Sequence, residues 1–158
     1  MTFKKILVPY DGSPMSDKAM EKAVEISKLV EGSQITVIHV IQELSTPIFD
    51  RAIRSPQTGK VTSFAEYMTT AYQEIRKMME EGLDERKRKF EAQGISINIY
   101  ITTGNPSDRI VDYATNEKID LIIIGSVGLT GVSKFFKGLG SVSRNVAERV
   151  SCPVLIIR

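Results

Sequence analysis

Five short runs of β-branched and aliphatic residues, each separated from the next by a stretch with helical features, constrain this chain more than anything else in it. The runs are Ile6 to Val8, closed by Pro9; Gln34 to Ile41 (QITVIHVI); Ile95 to Thr103 (ISINIYITT); Ile119 to Ile124 (IDLIII); and Cys152 to Ile157 (CPVLII). The second and fourth are almost continuously apolar, as in strands covered on both faces, whereas the third alternates at period two, as a half-exposed or edge strand does. Between the first two, Asp11-Gly12-Ser13-Pro14 supplies a turn, a helix cap and a proline that tolerates the first helical position. Ala19, Met20, Ala23, Val24, Ile26 and Val30 then recur at three and four up to Gly32. A second helix is expected from Ser63 to Gln93, with Phe64, Met68, Ala71, Tyr72, Ile75, Met78, Met79, Leu83 and Phe90 on one stripe and Gly82 as a weak point. A third opens at Asn105-Pro106-Ser107-Asp108 and ends near Asn116, and a fourth covers Ser141 to Val150. The order βαβαβαβαβ predicts an α/β fold: an open five-stranded parallel sheet with helices on both faces, because right-handed crossovers put helices on both sides.

At 158 residues the chain suits one domain of about 150. Residues 43 to 62, with Pro47, Pro56 and Gly59 and no sustained periodicity, read as a long mobile loop or lid. Twenty-one Lys and Arg against 19 Asp and Glu leave a formal charge of +2, which argues against nucleic acid. Arg86-Lys87-Arg88-Lys89 does not alter that, since Asp84 and Glu85 stand four residues before Arg88 and Lys89 and a solvated helix face results. The single cysteine, Cys152, excludes an internal disulfide and a zinc site built from Cys pairs, and suits the reducing cytosol. Neither a signal peptide nor a run of about 18 apolar residues is present, so a cytoplasmic protein with no membrane span is expected.

In an open parallel sheet, ligands bind beyond the carboxyl ends of the strands, where strand order reverses. The loop after the first strand carries Pro9-Tyr10-Asp11-Gly12-Ser13; the loop after the fourth carries Gly125-Ser126-Val127-Gly128 and leads to Gly138-Leu139-Gly140-Ser141-Val142-Ser143. Glycines let backbone N–H groups approach an anion, the start of the Ser141 helix adds a positive dipole end, and Asp11 is placed to accept from a ribose while forming its own turn. His39, alone inside an apolar strand, reads as a satisfied core histidine, and the methionines 68, 78 and 79 read as core.

These segments resemble the universal stress protein family along the whole chain: KILVPYDGS, VIHVI, GNPSDRI, IIIGSVGLTG and GSVSRNVAERVSCPVLIIR. The likeness is to its ATP-binding branch, whose pattern is G-x2-G-x9-G followed by Ser or Thr. Here eleven residues rather than nine separate Gly128 from Gly140. Gly140-Ser141 keeps the match to everything downstream, so the loop is two residues longer. The resemblance implies a Rossmann-like sheet of the adenine nucleotide alpha hydrolase type, with strand order 3-2-1-4-5. It implies that Pro9, Tyr10 and Asp11 line the nucleoside side and that Val40 offers backbone to the adenine edge. Ile124, Gly125, Val127 and Gly128 would line the ribose and phosphate side, and Gly140, Ser141, Val142 and Ser143 would hold the phosphates. The implied ligand is ATP with Mg or Mn, AMP or a cyclic nucleotide being the alternatives. The implied assembly is a homodimer through the final strand, and the implied role a stress-response or signalling module. No catalytic residue is assigned: Lys134 and Lys137 are the cations near the glycine loop, and a phosphoryl-transfer enzyme usually wants a fuller clamp. A weak ATPase, a switch phosphorylating its own Ser141 or Ser143, and a nucleotide-free interaction protein are the rivals.

Overall fold

The computed structural model describes residues 3–42, 52–128 and 138–158. The chain begins with strand β1 (Lys5–Pro9), helix α1 (Pro14–Lys28) and strand β2 (Gln34–Ile41). Two short strands, β3 (Ala52–Arg54) and β4 (Val61–Ser63), precede the long helix α2 (Phe64–Glu91). Strand β5 (Ser96–Thr103), helix α3 (Pro106–Asn116), strand β6 (Leu121–Gly125), helix α4 (Ser141–Arg149) and strand β7 (Val154–Ile157) complete it. The main sheet is parallel throughout, in the order β5-β2-β1-β6-β7. With the β3–β4 pair set aside, this is the expected order 3-2-1-4-5.

Local chemistry fixes the helix starts. Ser13, Ser63 and Asn105 each accept, through a side-chain oxygen, the amide of the residue three positions on, and Pro14 and Pro106 follow two of these caps. Gly82 neither ends nor interrupts α2. Asp120 fastens the start of β1 by accepting from the amides of Lys4 and Lys5 at 3.0 and 2.9 Å, and the fourth core strand begins after it, at Leu121 rather than Ile119.

The alternation of side chains along the strands splits the core in two. Ile6, Val8, Ile35, Val37 and Ile123 face α1 and α2, where Ala19, Met20, Ala23 and Leu83 meet them. Leu7, Ile38, Ile122 and Ile124 face α3 and α4, where Ile110, Ala114 and Val146 close the other layer. Fully burying an aliphatic side chain contributes about 1.5–3 kcal/mol, so these two layers dominate the folding energy.

Two expectations need correction. Residues 52–63 are not an irregular loop: β3 and β4 pair antiparallel, and Pro56 and Gly59 belong to the turn between them, where the Ser55 amide donates to the Lys60 carbonyl at 2.8 Å. Three-residue strands are too short to show a period, and their turn residues read as loop. Residues 43–51 lie outside the described residues. The methionine stripe of α2 is also not simply core: Met78 is 73% exposed, and of the helix only Leu83 is fully buried.

Candidate functional site

Beside β1 the order of crossovers reverses: β2 and β5 extend the sheet one way, β6 and β7 the other. A cleft of about 570 Å³ opens there, at the carboxyl ends of β1, β2 and β6. That volume is in the range of ordinary small-molecule sites, about 300–1,000 Å³. Pro9, Tyr10, Asp11, Val40, Ile124, Gly125, Val127, Gly128, Gly140, Ser141, Val142 and Ser143, read from four separate stretches of sequence, all line it.

The two loops across the switch point sit within touching distance. A Cβ built on Gly128 would run into the Asp11 carboxylate, and one on Gly125 would stand 2.8 Å from Met15 Cβ and 3.0 Å from its backbone carbon. Close approach of backbone requires glycine at 125, whereas at 128 the obstacle is the end of the Asp11 side chain. Asp11 also accepts the Ser13 amide at 3.0 Å, so its turn-forming role is present together with its place in the cleft wall.

The start of α4 is held by one carbonyl. Ser126 O accepts the Gly140 amide at 2.7 Å and the Ser143 hydroxyl at 3.0 Å; that hydroxyl also lies 3.0 Å from Gly140 O. Ser143 is therefore engaged with backbone and buried, which makes its hydroxyl a fastening for the helix and a poor acceptor of phosphoryl groups. Gly140 caps α4 without a side-chain hydrogen bond, unlike the caps of the other three helices. The first amides of α4, at Ser141, Val142 and Ser143, therefore keep the donor capacity that a helix N-terminus offers an anion.

The rest of the wall was not legible as such. Met68, Ala71, Tyr72, Ile75 and Met79 of α2 line the cleft, and Pro106 and Ile110 of α3 close its other side. A helical stripe signals burial against something, and periodicity alone does not separate a core from a cleft. His39 is a wall residue as well, and its Nδ1 lies 2.7 Å from the Tyr10 carbonyl oxygen.

Tyr10 contributes backbone more than hydroxyl. Its ring is 4% exposed, its O–H donates to Asp17 Oδ1 at 2.8 Å, and Arg86 lies over the ring, 5.4 Å from its centroid, while pairing with Asp17 at 3.4 Å. Burial, reinforced by the bond to Asp17, pushes the phenol up to about 12. Arg86 is thus a tie between α2 and α1 and not part of a merely solvated face. Cys152 packs against the α3–α4 layer, and burial pushes its thiol up, in keeping with a packing role.

Among the described residues lining the cleft there is no Lys or Arg, and Asp11 is its one carboxylate. No group of three His, Cys, Asp or Glu side chains that could hold a metal ion occurs among the described residues. Lys134 and Lys137 lie outside the described residues. No helix among the described residues is long and apolar enough to cross a membrane.

Comparison with known proteins agrees with this architecture. The chain is 31% identical to universal stress protein YxiE of Bacillus subtilis over 156 residues, 99% of each chain. It superposes on universal stress protein UspA from Lactobacillus plantarum with a TM-score of 0.79 at 23% identity, covering 100% of this chain and 99% of that one. A universal stress protein from Archaeoglobus fulgidus in complex with dAMP shares the fold with a TM-score of 0.63 at 21% identity, each chain covered in full. The model of the universal stress protein family matches residues 2–158, and the chain belongs to that family.

Proposed function

We propose that this protein binds an adenine nucleotide, ATP in the first place, in the cleft at the switch point, and acts as a nucleotide-dependent stress-response or signalling module. The observation that carries the reading is convergence: the tight glycines 125 and 128, the Asp11 turn and the uncapped start of α4 all border one cleft. Apolar walls from α2 and α3 suit a purine, and backbone donors at the start of α4 suit phosphate. The dAMP complex of the Archaeoglobus relative, a fact about that protein, is in line with the reading. Mg or Mn would be carried in by the phosphates beside Asp11. A homodimer through β7 belongs to the same proposal.

Ser141→Glu tests the phosphate end. A carboxylate in the first turn of α4 favours the helix dipole, by about 0.3–1 kcal/mol, while repelling phosphate. Calorimetric titration should show ATP and ADP binding at least tenfold weaker and adenosine binding unchanged, with the free variant melting no lower than wild type. Equal ATP affinity in both proteins would remove the phosphate assignment, and no binding of ATP, ADP, AMP or cyclic AMP to the wild type would remove the reading altogether.

A further inference from the structure

His39 is the chain's only histidine. It is 7% exposed, faces the α1–α2 side of the sheet, and forms part of the cleft wall. Its Nδ1 lies 2.7 Å from Tyr10 O, and since a carbonyl oxygen only accepts, Nδ1 carries the proton and donates. In the neutral ring that leaves Nε2 with a lone pair and no proton. Nε2 has no hydrogen-bond partner among the described residues, yet no side-chain nitrogen or oxygen sealed from solvent there lacks one. Nε2 is therefore open, and the open space beside His39 is the cleft.

An acceptor of fixed tautomer that opens onto a cleft can be satisfied by water, and a ligand that displaces the water without bringing a donor leaves it unpaired at a cost. We propose that His39 Nε2 is a ligand-binding atom, accepting a hydrogen bond from an N–H or O–H donor on the nucleoside part of the nucleotide. The inference rests on the nucleotide reading above. Tyr10 holds the ring from one side, and of the described α2 residues lining the cleft Tyr72 alone carries a donor, its hydroxyl, while Met68, Ala71, Ile75 and Met79 carry none. An amino or hydroxyl group matches an acceptor; phosphate, itself an acceptor, does not. The two sources of such a donor on an adenine nucleotide are the exocyclic amine and the ribose hydroxyls.

With one histidine in the untagged chain, a long-range proton–nitrogen spectrum of 15N-histidine protein contains one imidazole and needs no assignment. At mildly alkaline pH the neutral ring of the free protein should show the Nδ1–H tautomer. ADP should move the unprotonated Nε2 resonance toward the protonated position, and pyrophosphate should not. Loss of that shift with inosine diphosphate names the amine as donor, and loss with 2′,3′-dideoxy-ADP names the ribose. His39→Asn places an amide N–H where Nδ1–H stood, keeping the tie to Tyr10 while deleting Nε2, and should weaken ADP binding roughly three- to tenfold, the loss expected of one hydrogen bond. ADP binding with no movement of Nε2, an unchanged shift with both analogues, an Nε2–H tautomer in the free protein, or wild-type ADP affinity in folded His39→Asn each overturns the proposal while leaving the nucleotide reading intact. Absence of binding of ATP, ADP, AMP and cyclic AMP alike to wild type overturns both.

Discussion

Tyr10 shows how one side chain links the sheet, two helices and the cleft. The ring is buried, the hydroxyl is spent on Asp17, and the backbone carbonyl holds His39. Its phenol ionises near 10 when unfolded and at about 12 when folded, so between those values the unfolded chain releases a proton that the folded chain keeps. Stability should accordingly hold up to about pH 10 and fall as pH rises toward 12, and Tyr10→Phe should flatten that part of the profile. Urea melts at stepped alkaline pH check this; parallel profiles for the two proteins would mean that another group controls the decline. None of this was legible in the sequence, because the partners Asp17 and Arg86 reach Tyr10 only once α1 and α2 lie on the same face of the sheet. His39 was half legible: an apolar strand around it announced burial, and nothing in the strand announced that the ring reaches the cleft.

At the scale of the element, the contacts of β6 with its neighbours separate two glycines that look alike in sequence. A methyl group at Gly125 meets the backbone of Met15 at the start of α1, which has little freedom to move, whereas one at Gly128 meets the end of the Asp11 side chain. Gly125→Ala should cost about 1–3 kcal/mol of stability, as overpacking does. Gly128→Ala should leave the melting temperature near wild type and weaken nucleotide binding by displacing the Asp11 carboxylate. Thermal melts and titrations on both variants decide it, and the assignment of a structural and a binding glycine is wrong if the two behave alike. The five core strands and four helices were legible because each repeats its period over enough residues or carries cap chemistry at its start. The β3–β4 pair was not, since three residues a strand leave no alternation to count. For α2 the sequence announced an apolar stripe, but Met68, Ala71, Tyr72, Ile75 and Met79 line the cleft, Met78 is exposed, and the core takes Leu83 with Met79 and Phe90 packed beside it.

For the whole molecule, the sheet ends at two different edges. β5 carries Tyr100 tilted against Tyr113 of α3, with ring centroids 4.7 Å apart, and from Ser96 to Ile101 alternates exposed with less exposed positions. β7 ends the other side with Leu155 at 37% exposure, while Val154 and Ile156 turn into the α3–α4 layer. Such an apolar edge invites pairing with another copy of itself. If that pairing forms, Leu155→Lys should convert a dimer to a folded monomer, and Ile156→Lys should chiefly destabilise the fold; sedimentation velocity distinguishes them, and a wild type that is monomeric at tens of micromolar ends the idea. Finally, the double use of the Ser126 carbonyl changes what loop length means for this molecule. Because the Gly140 amide and the Ser143 hydroxyl both close onto a residue just past β6, the start of α4 takes its position from the sheet and not from the tether between Gly128 and Gly140. A spacing of eleven residues rather than nine between Gly128 and Gly140 therefore does not decide where α4 begins, and evolution is at liberty to vary that spacing while the helix keeps its station.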